Sequence, residues 1–337
     1  VSPIYSQGYK PLTLQQWMPA RFASVSVLLL WLTACVSAPQ SAQLLQQNAD
    51  NSVSKSLFAS PVSLNFVPFY PQEDYQCGPA ALATVLQASS VAVTPDELVS
   101  RVYVPARQGS LQIEMLAAAR AYGRASYQLA PALEDVLHEV REGRPVLVMQ
   151  NLGLSWYPQW HYAVVIGYDL DNKELILRSG TIKDYRLSVK VFERTWARSE
   201  HWAFVVLKPG EMPVNAEELP YFESVAAFER VQPGESAQEF YRNGLQRWPE
   251  SINLAMGLGN SYYSAARFEE AAQVYTGLLR HNPDYAVAHN NLAQVFLEQG
   301  EQERALEHAQ QAVALGGRYT EMFSATLEAT RKKMQKQ

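Results

Sequence analysis

Sliding the C-terminal third of the chain against itself by about 34 residues lays like on like. Leu258-Gly259 falls on Leu292-Ala293, Tyr262 on Phe296 and Ala271 on Ala305. One period earlier, Ala271 falls on Ala237, Tyr275 on Tyr241 and Pro283 on Pro249. Small residues recur where two helices must approach closely, and large aromatics fill the space between them. Such a period holds one helical hairpin per unit, and no hairpin buries its apolar face alone, so successive units must stack. The periodicity predicts units over 218–251, 252–285 and 286–319, the first of them degenerate in its first helix. A capping helix follows from about Tyr319 to the end.

The L-G…Y…A…P spacing resembles the tetratricopeptide repeat. The resemblance implies a protein or peptide partner on a concave face, and no chemistry within the repeats. His281, His289 and His308 are therefore expected as ordinary helix-surface residues.

Composition bounds the remainder. The chain has 337 residues, 47% apolar and 18% charged, enough to fill real cores, and its length suggests about two domains. Lys and Arg total 28 against 33 Asp and Glu, so the chain carries no electrostatic footprint for nucleic acid. Only Cys35 and Cys77 occur, which excludes a disulfide framework and a structural cysteine-based zinc site. Neither G-x-x-x-x-G-K-[ST] nor H-E-x-x-H is present, which argues against an ATPase that binds ATP and against a zincin metalloprotease.

Near the N-terminus, Arg21 precedes a short apolar run, Phe22 to Ala34. About a dozen apolar residues are too few to cross a bilayer as a helix but suit the core of a signal peptide. Met18 fits the start of such a signal better than Val1 does. The run ends in Leu32-Thr33-Ala34-Cys35, which resembles the lipobox of bacterial lipoproteins. That resemblance implies lipidation of Cys35, a membrane anchor and a place in the bacterial cell envelope. With Val36 rather than Asp after the cysteine, it implies the outer membrane facing the periplasm. Four regions are expected: extension and signal peptide over 1–35, a flexible Ser/Gln/Ala/Asn-rich tether over 36–60, a mixed helix-and-strand domain over 61–210, and the helical repeats over 211–337.

Chemistry concentrates in the mixed domain. Ala80 to Leu86 is strongly helix-forming, and Pro79 sits in the first turn, where proline is welcome. Cys77 thus falls at a helix N-terminus, where unpaired N–H groups and the positive dipole end favour thiolate over thiol. A nucleophilic cysteine needs a base, usually a histidine brought near by folding. His138 lies within a helical pattern, Ala132 to Glu142. His161 opens the strand pattern 162–168, and His201 opens another over 202–207, so either could reach a site at a sheet edge.

Gln72…Cys77-Gly78-Pro79-Ala80-Ala81-Leu82, followed by His161-Tyr162-Ala163-Val164-Val165-Ile166-Gly167-Tyr168, resembles the bacteriocin-processing (double-glycine) cysteine peptidases. The resemblance implies an α+β papain-like domain, with an N-terminal helical half and an antiparallel sheet, ahead of the all-α repeats. It implies Cys77 as nucleophile, His161 as base and later acid, and Gln72 as a donor to the oxyanion. Gln76 is read as a solvent-facing loop residue. No metal or organic cofactor is implied, and the substrate would be a peptide or protein.

One position departs from the family. An Asp normally follows on the neighbouring strand to orient the imidazole. Folding the hairpin about Leu170 or Asp171 puts residues 179–181 opposite His161, so Ser179 occupies that place, with Arg178 beside it. Serine can fix the imidazole tautomer but cannot stabilise the imidazolium by charge. Asp169 is about 26 Å along the strand and cannot substitute. Asp184 remains a second candidate. Three readings stay open: a cysteine peptidase, a non-catalytic peptide-binding protein on the same fold, and a cysteine acyltransferase.

Overall fold

A computed structural model of the chain describes residues 38–49, 57–71 and 76–335. Cys35 with its signal-like run and Gln72 lie outside the described residues. Among the described residues no helix is long and apolar enough to cross a membrane.

The expected tether is corrected over part of its length. Helix α1 (Pro39–Ala49) buries Ser41 and Leu44. Its first-turn N–H groups, which lack partners within the helix, find an anion. Gln40 N, Ser41 N and Ser41 Oγ donate to the buried Glu193 carboxylate at 2.9, 2.7 and 2.5 Å. Low sequence complexity concealed a segment whose order comes from a carboxylate about 150 positions away.

Strand β1 (Val62–Ser63) leads towards α2 (Cys77–Ala88). Helix α3 (Pro95–Val102) starts on a capping box between Thr94 and Glu97. A small hairpin, β2 (Tyr103–Val104) and β3 (Gly109–Ser110), precedes α4 (Gln112–Ala121). Then come β4 (Ala125–Gln128), α5 (Leu133–Arg141), β5 (Val146–Asn151), β6 (Trp160–Asp169), β7 (Glu174–Ser179), β8 (Ile182–Ser188), α6 (Val189–Ala197) and β9 (Ala203–Leu207). The strands form one antiparallel sheet ordered β4-β9-β5-β6-β7-β8, with β1 also paired to β6. Its central strands are apolar on both faces because helices cover both. Helix α2 is buried from Gly78 to Leu86, so its Ala-rich run lets it pack close against β6.

Seven more helices follow among the described residues: α7 (Glu218–Glu229), α8 (Glu235–Arg247), α9 (Ile252–Ser264), α10 (Phe268–His281), α11 (Ala286–Gln299), α12 (Gln302–Leu315) and α13 (Thr320–Met334). The small repeat positions accept aromatic faces. A Cβ on Gly259 would lie 2.4 Å from the Tyr275 ring, and one on Gly257 would lie 2.4 Å from Tyr241. His281 is exposed as expected, whereas His289 and His308 depart from the surface expectation. His289 is buried, with Nδ1 2.9 Å from His308 Nδ1 and Nε2 2.9 Å from the Pro283 carbonyl.

The helices pack against the sheet domain. Ser224 Oγ donates to the Ser126 carbonyl at 3.0 Å, and Glu217 N donates to Tyr127 Oη at 3.2 Å. Val214 N donates to the buried Glu139 carboxylate at 2.7 Å, so the stretch joining the two halves is pinned.

Candidate active site

Gln76 is the N-cap of α2, and Cys77 is the first helical residue. Proline in that first turn costs nothing, because its missing N–H would have had no partner in the helix. Gly78 is required by space. A Cβ there would meet Ser110 Oγ at 2.2 Å and Ser110 Cβ at 2.5 Å. The β2–β3 hairpin therefore rests directly on the backbone beside the thiol.

The backbone N–H groups of Tyr162, Gly78 and Cys77 itself lie close enough to the Cys77 sulfur to favour its thiolate form. Tyr162 follows His161 on β6, so the thiol is held against the very segment that carries the imidazole. Tyr162 in turn fixes the hairpin, donating its hydroxyl to the Ser110 carbonyl at 3.1 Å. Cys77, His161, Ser110, Met149, Tyr157 and Trp160 all line one cleft of about 1030 Å³. Neighbouring Gln150 pairs with His161 across the ladder and is tied to Thr195 Oγ1 at 2.6 Å.

His161 Nε2 lies 2.8 Å from Ser179 Oγ. In the tautomer where Nε2–H donates to that oxygen, Nδ1 is left as the nitrogen able to accept a proton from a thiol. Ser179 is where the hairpin fold places it, at the end of β7, although a bulge between Val165 and Gly167 shifts the register on the way.

The other candidates are elsewhere. His138 packs its ring against Phe58 at 4.9 Å, and His201 sits in the turn before β9, edge-on to Trp196. Asp184 does not fold back to the imidazole; its carboxylate pairs with Arg178. Asp169 is occupied in its own turn, accepting from Asn172 N and Nδ2.

The electrostatics oppose one expectation. Burial pushes the Cys77 thiol up, outweighing the three backbone N–H groups that pull it down. The expected thiolate-favouring effect of the helix start is present but smaller than desolvation. Burial also holds His161 below the ordinary histidine value. Both shifts favour a neutral thiol beside a neutral imidazole over an ion pair.

Sequence reasoning missed Ser110 and Tyr162. The one available signal was Gly78, since a glycine inside an Ala-rich helix start announces a close approach. Nothing local indicated that residue 110 would supply it.

Residues 64–203 match the family model described as Peptidase C39 like. This segment is similar to the C39-like peptidases and has their fold, an antiparallel sheet with helices packed on it. Residues 256–319 match a tetratricopeptide-repeat model. Similar solved structures include a C39-like peptidase from Bacillus anthracis, 18% identical over 44% of this chain and 98% of that one, with a TM-score of 0.38. A double glycine motif protease from an AMS/PCAT transporter, solved with the leader peptide, is 23% identical over 43% of this chain and 95% of that one (TM-score 0.33). The peptidase domain of the Streptococcus transporter ComA is 21% identical over 42% and 98% of the respective chains (TM-score 0.33). No curated protein matches the chain. The C39-like match thus covers the sheet-and-helix part of the chain, and the repeat match follows it.

Proposed function

We propose that the chain is a membrane-anchored cysteine peptidase that hydrolyses a peptide or amide bond through a thioester on Cys77. The observation that carries this reading is the common cleft of Cys77 and His161, with the imidazole bonded through Nε2 to Ser179. His161 Nδ1 takes the thiol proton as sulfur attacks the carbonyl carbon. The oxyanion is met by the Cys77 backbone N–H and the Gln72 side chain, donors of a kind worth about 3 kcal/mol each in acyl transfer. Collapse breaks the C–N bond, and His161 returns its proton to the leaving amine. Water, deprotonated by the same nitrogen, then cleaves the thioester to a carboxylate and restores the thiol. A neutral resting pair makes the first proton transfer part of the attack, so His161 serves as a general base from the start.

The helical repeats dock the substrate or a protein partner, and acylated Cys35 tethers the chain to the envelope membrane, with the outer membrane as its site. Digestion of envelope peptides by the full chain and by Cys77→Ala tests the activity, with mass analysis separating water from amine as acyl acceptor. Cleavage that does not depend on Cys77 sinks the reading. Cys35→Ser is expected to release the protein from membranes, and unchanged pelleting removes the anchor from the proposal.

A second reading, a peptide-binding protein without turnover, draws support from the buried, protonated thiol and the uncharged Ser179. It is distinguished by peptide binding that survives Cys77→Ala while no cleavage occurs in the unaltered chain.

A further inference from the structure

Arg178 precedes Ser179 on β7 and is only 3% exposed, yet carries a full charge. Its guanidinium ties three segments together. Nε and Nη2 both donate to the Val67 carbonyl, at 3.2 and 2.9 Å, on the stretch between β1 and α2. Nη1 donates to the Lys183 carbonyl at 2.6 Å and pairs with the Asp184 carboxylate, both at the start of β8. The β7–β8 ladder is irregular just here. Its register shifts between Leu177 and Ser179, and the turn continues through Gly180 at φ +56° to the Ser179–Ile182 pair. Backbone pairing alone therefore holds this turn poorly, while Ile182 at its far side is about half exposed. The fork of Arg178 supplies the fastening that the interrupted ladder lacks.

We propose that Arg178, braced by Asp184, is the positioning residue that sets Ser179 Oγ against His161 Nε2. The acidic orienter is absent from the imidazole's neighbour, and its geometric task falls to a serine whose place is fixed by a buried guanidinium one residue away. Asp184, rejected above as a direct partner of His161, acts on it at one remove. The proposal rests on the reading of His161 as the base. A lysine cannot replace the fork, because one ammonium cannot hold the Val67 carbonyl and the Asp184 carboxylate in this planar arrangement.

The test reads the His161 tautomer by 15N NMR in the full chain carrying Cys77→Ala, with His161→Gln assigning the signal. The otherwise unaltered chain is expected to hold the proton on Nε2. Arg178→Met is expected to give a mixture of tautomers. Asp184→Asn, which keeps an acceptor oxygen for Arg178, is expected to retain the Nε2–H form, whereas Asp184→Ala shifts it. With Cys77 intact, Arg178→Met is expected to lower kcat about tenfold at constant KM, matching Ser179→Ala, and the double variant to be no worse than either single one.

An unchanged tautomer in Arg178→Met overturns the proposal, as do additive losses in the double variant. Should Arg178→Met fail to fold, the Asp184 pair decides, and identical behaviour of Asn and Ala at that position overturns it. A chain without any turnover defeats the peptidase reading, while the tautomer measurement still judges the role of Arg178.

Discussion

Ser179 Oγ stands 2.8 Å from His161 Nε2, closing the imidazole's outer side with a neutral oxygen rather than a carboxylate. Serine fixes direction without supplying charge. Ser179→Ala is expected to lower kcat about tenfold at constant KM, the equivalent of about 1.4 kcal/mol, within the range for one hydrogen bond. Ser179→Asp is expected to raise the His161 pKa and increase turnover. A loss of activity in Ser179→Asp places the limiting factor elsewhere; steady-state kinetics of the three proteins decide.

The pH profile follows from the two buried groups. His161 must be neutral to accept a proton, and burial holds it below about 6.5, so kcat/KM is expected to keep its plateau to below that pH before falling. Cys77 is pushed above its ordinary value, so alkylation by a thiol probe is expected to rise only at alkaline pH. His161→Ala is expected to abolish hydrolysis across this range. Rapid labelling at pH 6 contradicts the neutral-pair mechanism and points to a preformed thiolate.

Gly78 and Ser110 form a steric pair. Gly78→Ala places a methyl group 2.2 Å from Ser110 Oγ and displaces the β2–β3 hairpin from the cleft wall. A stability loss of about 1–3 kcal/mol is expected, with a larger fractional loss of activity. Ser110→Gly in the same chain removes both clashing atoms and is expected to restore most of the stability. Denaturant titration of the four proteins tests this; a double variant no better than Gly78→Ala refutes the contact.

The repeats carry a pH dependence of their own. His289 Nε2–H donates to the Pro283 carbonyl, so its Nδ1 is the acceptor and His308 Nδ1–H the donor. Burial chiefly holds the His308 pKa down, with His289 and Arg304 acting in the same direction and Glu307 against them. A depressed histidine contributes stability that is present above about 6.5 and is lost as pH falls through its folded value. His161 adds to this with the same sign. Thermal unfolding is expected to shift to lower temperature between pH 7 and pH 5, and less steeply in His308→Gln. An identical slope in that variant excludes the pair as a source.

The sequence by itself determined what local periodicity and spacing can carry. The 34-residue self-similarity marks the stacked helices, because small and aromatic residues must alternate wherever hairpins meet. Cys77 at a helix start and His161 at a strand start are legible because Pro79 and the apolar run 162–168 are local signals. Even Ser179 follows from counting residues around a hairpin. Tertiary structure alone decided the rest. The sign of the Cys77 shift depends on how deeply the helix start is buried, and burial is a property of the packed domain. Ser110 against Gly78, Glu193 under α1 and His308 against His289 are likewise contacts between segments joined only by folding. Arg178 and Asp184 look from the sequence like a failed search for a missing acid. Only the packed sheet shows that the guanidinium reaches Val67 and fastens the turn carrying Ser179, because such a reach is set by strand order and register.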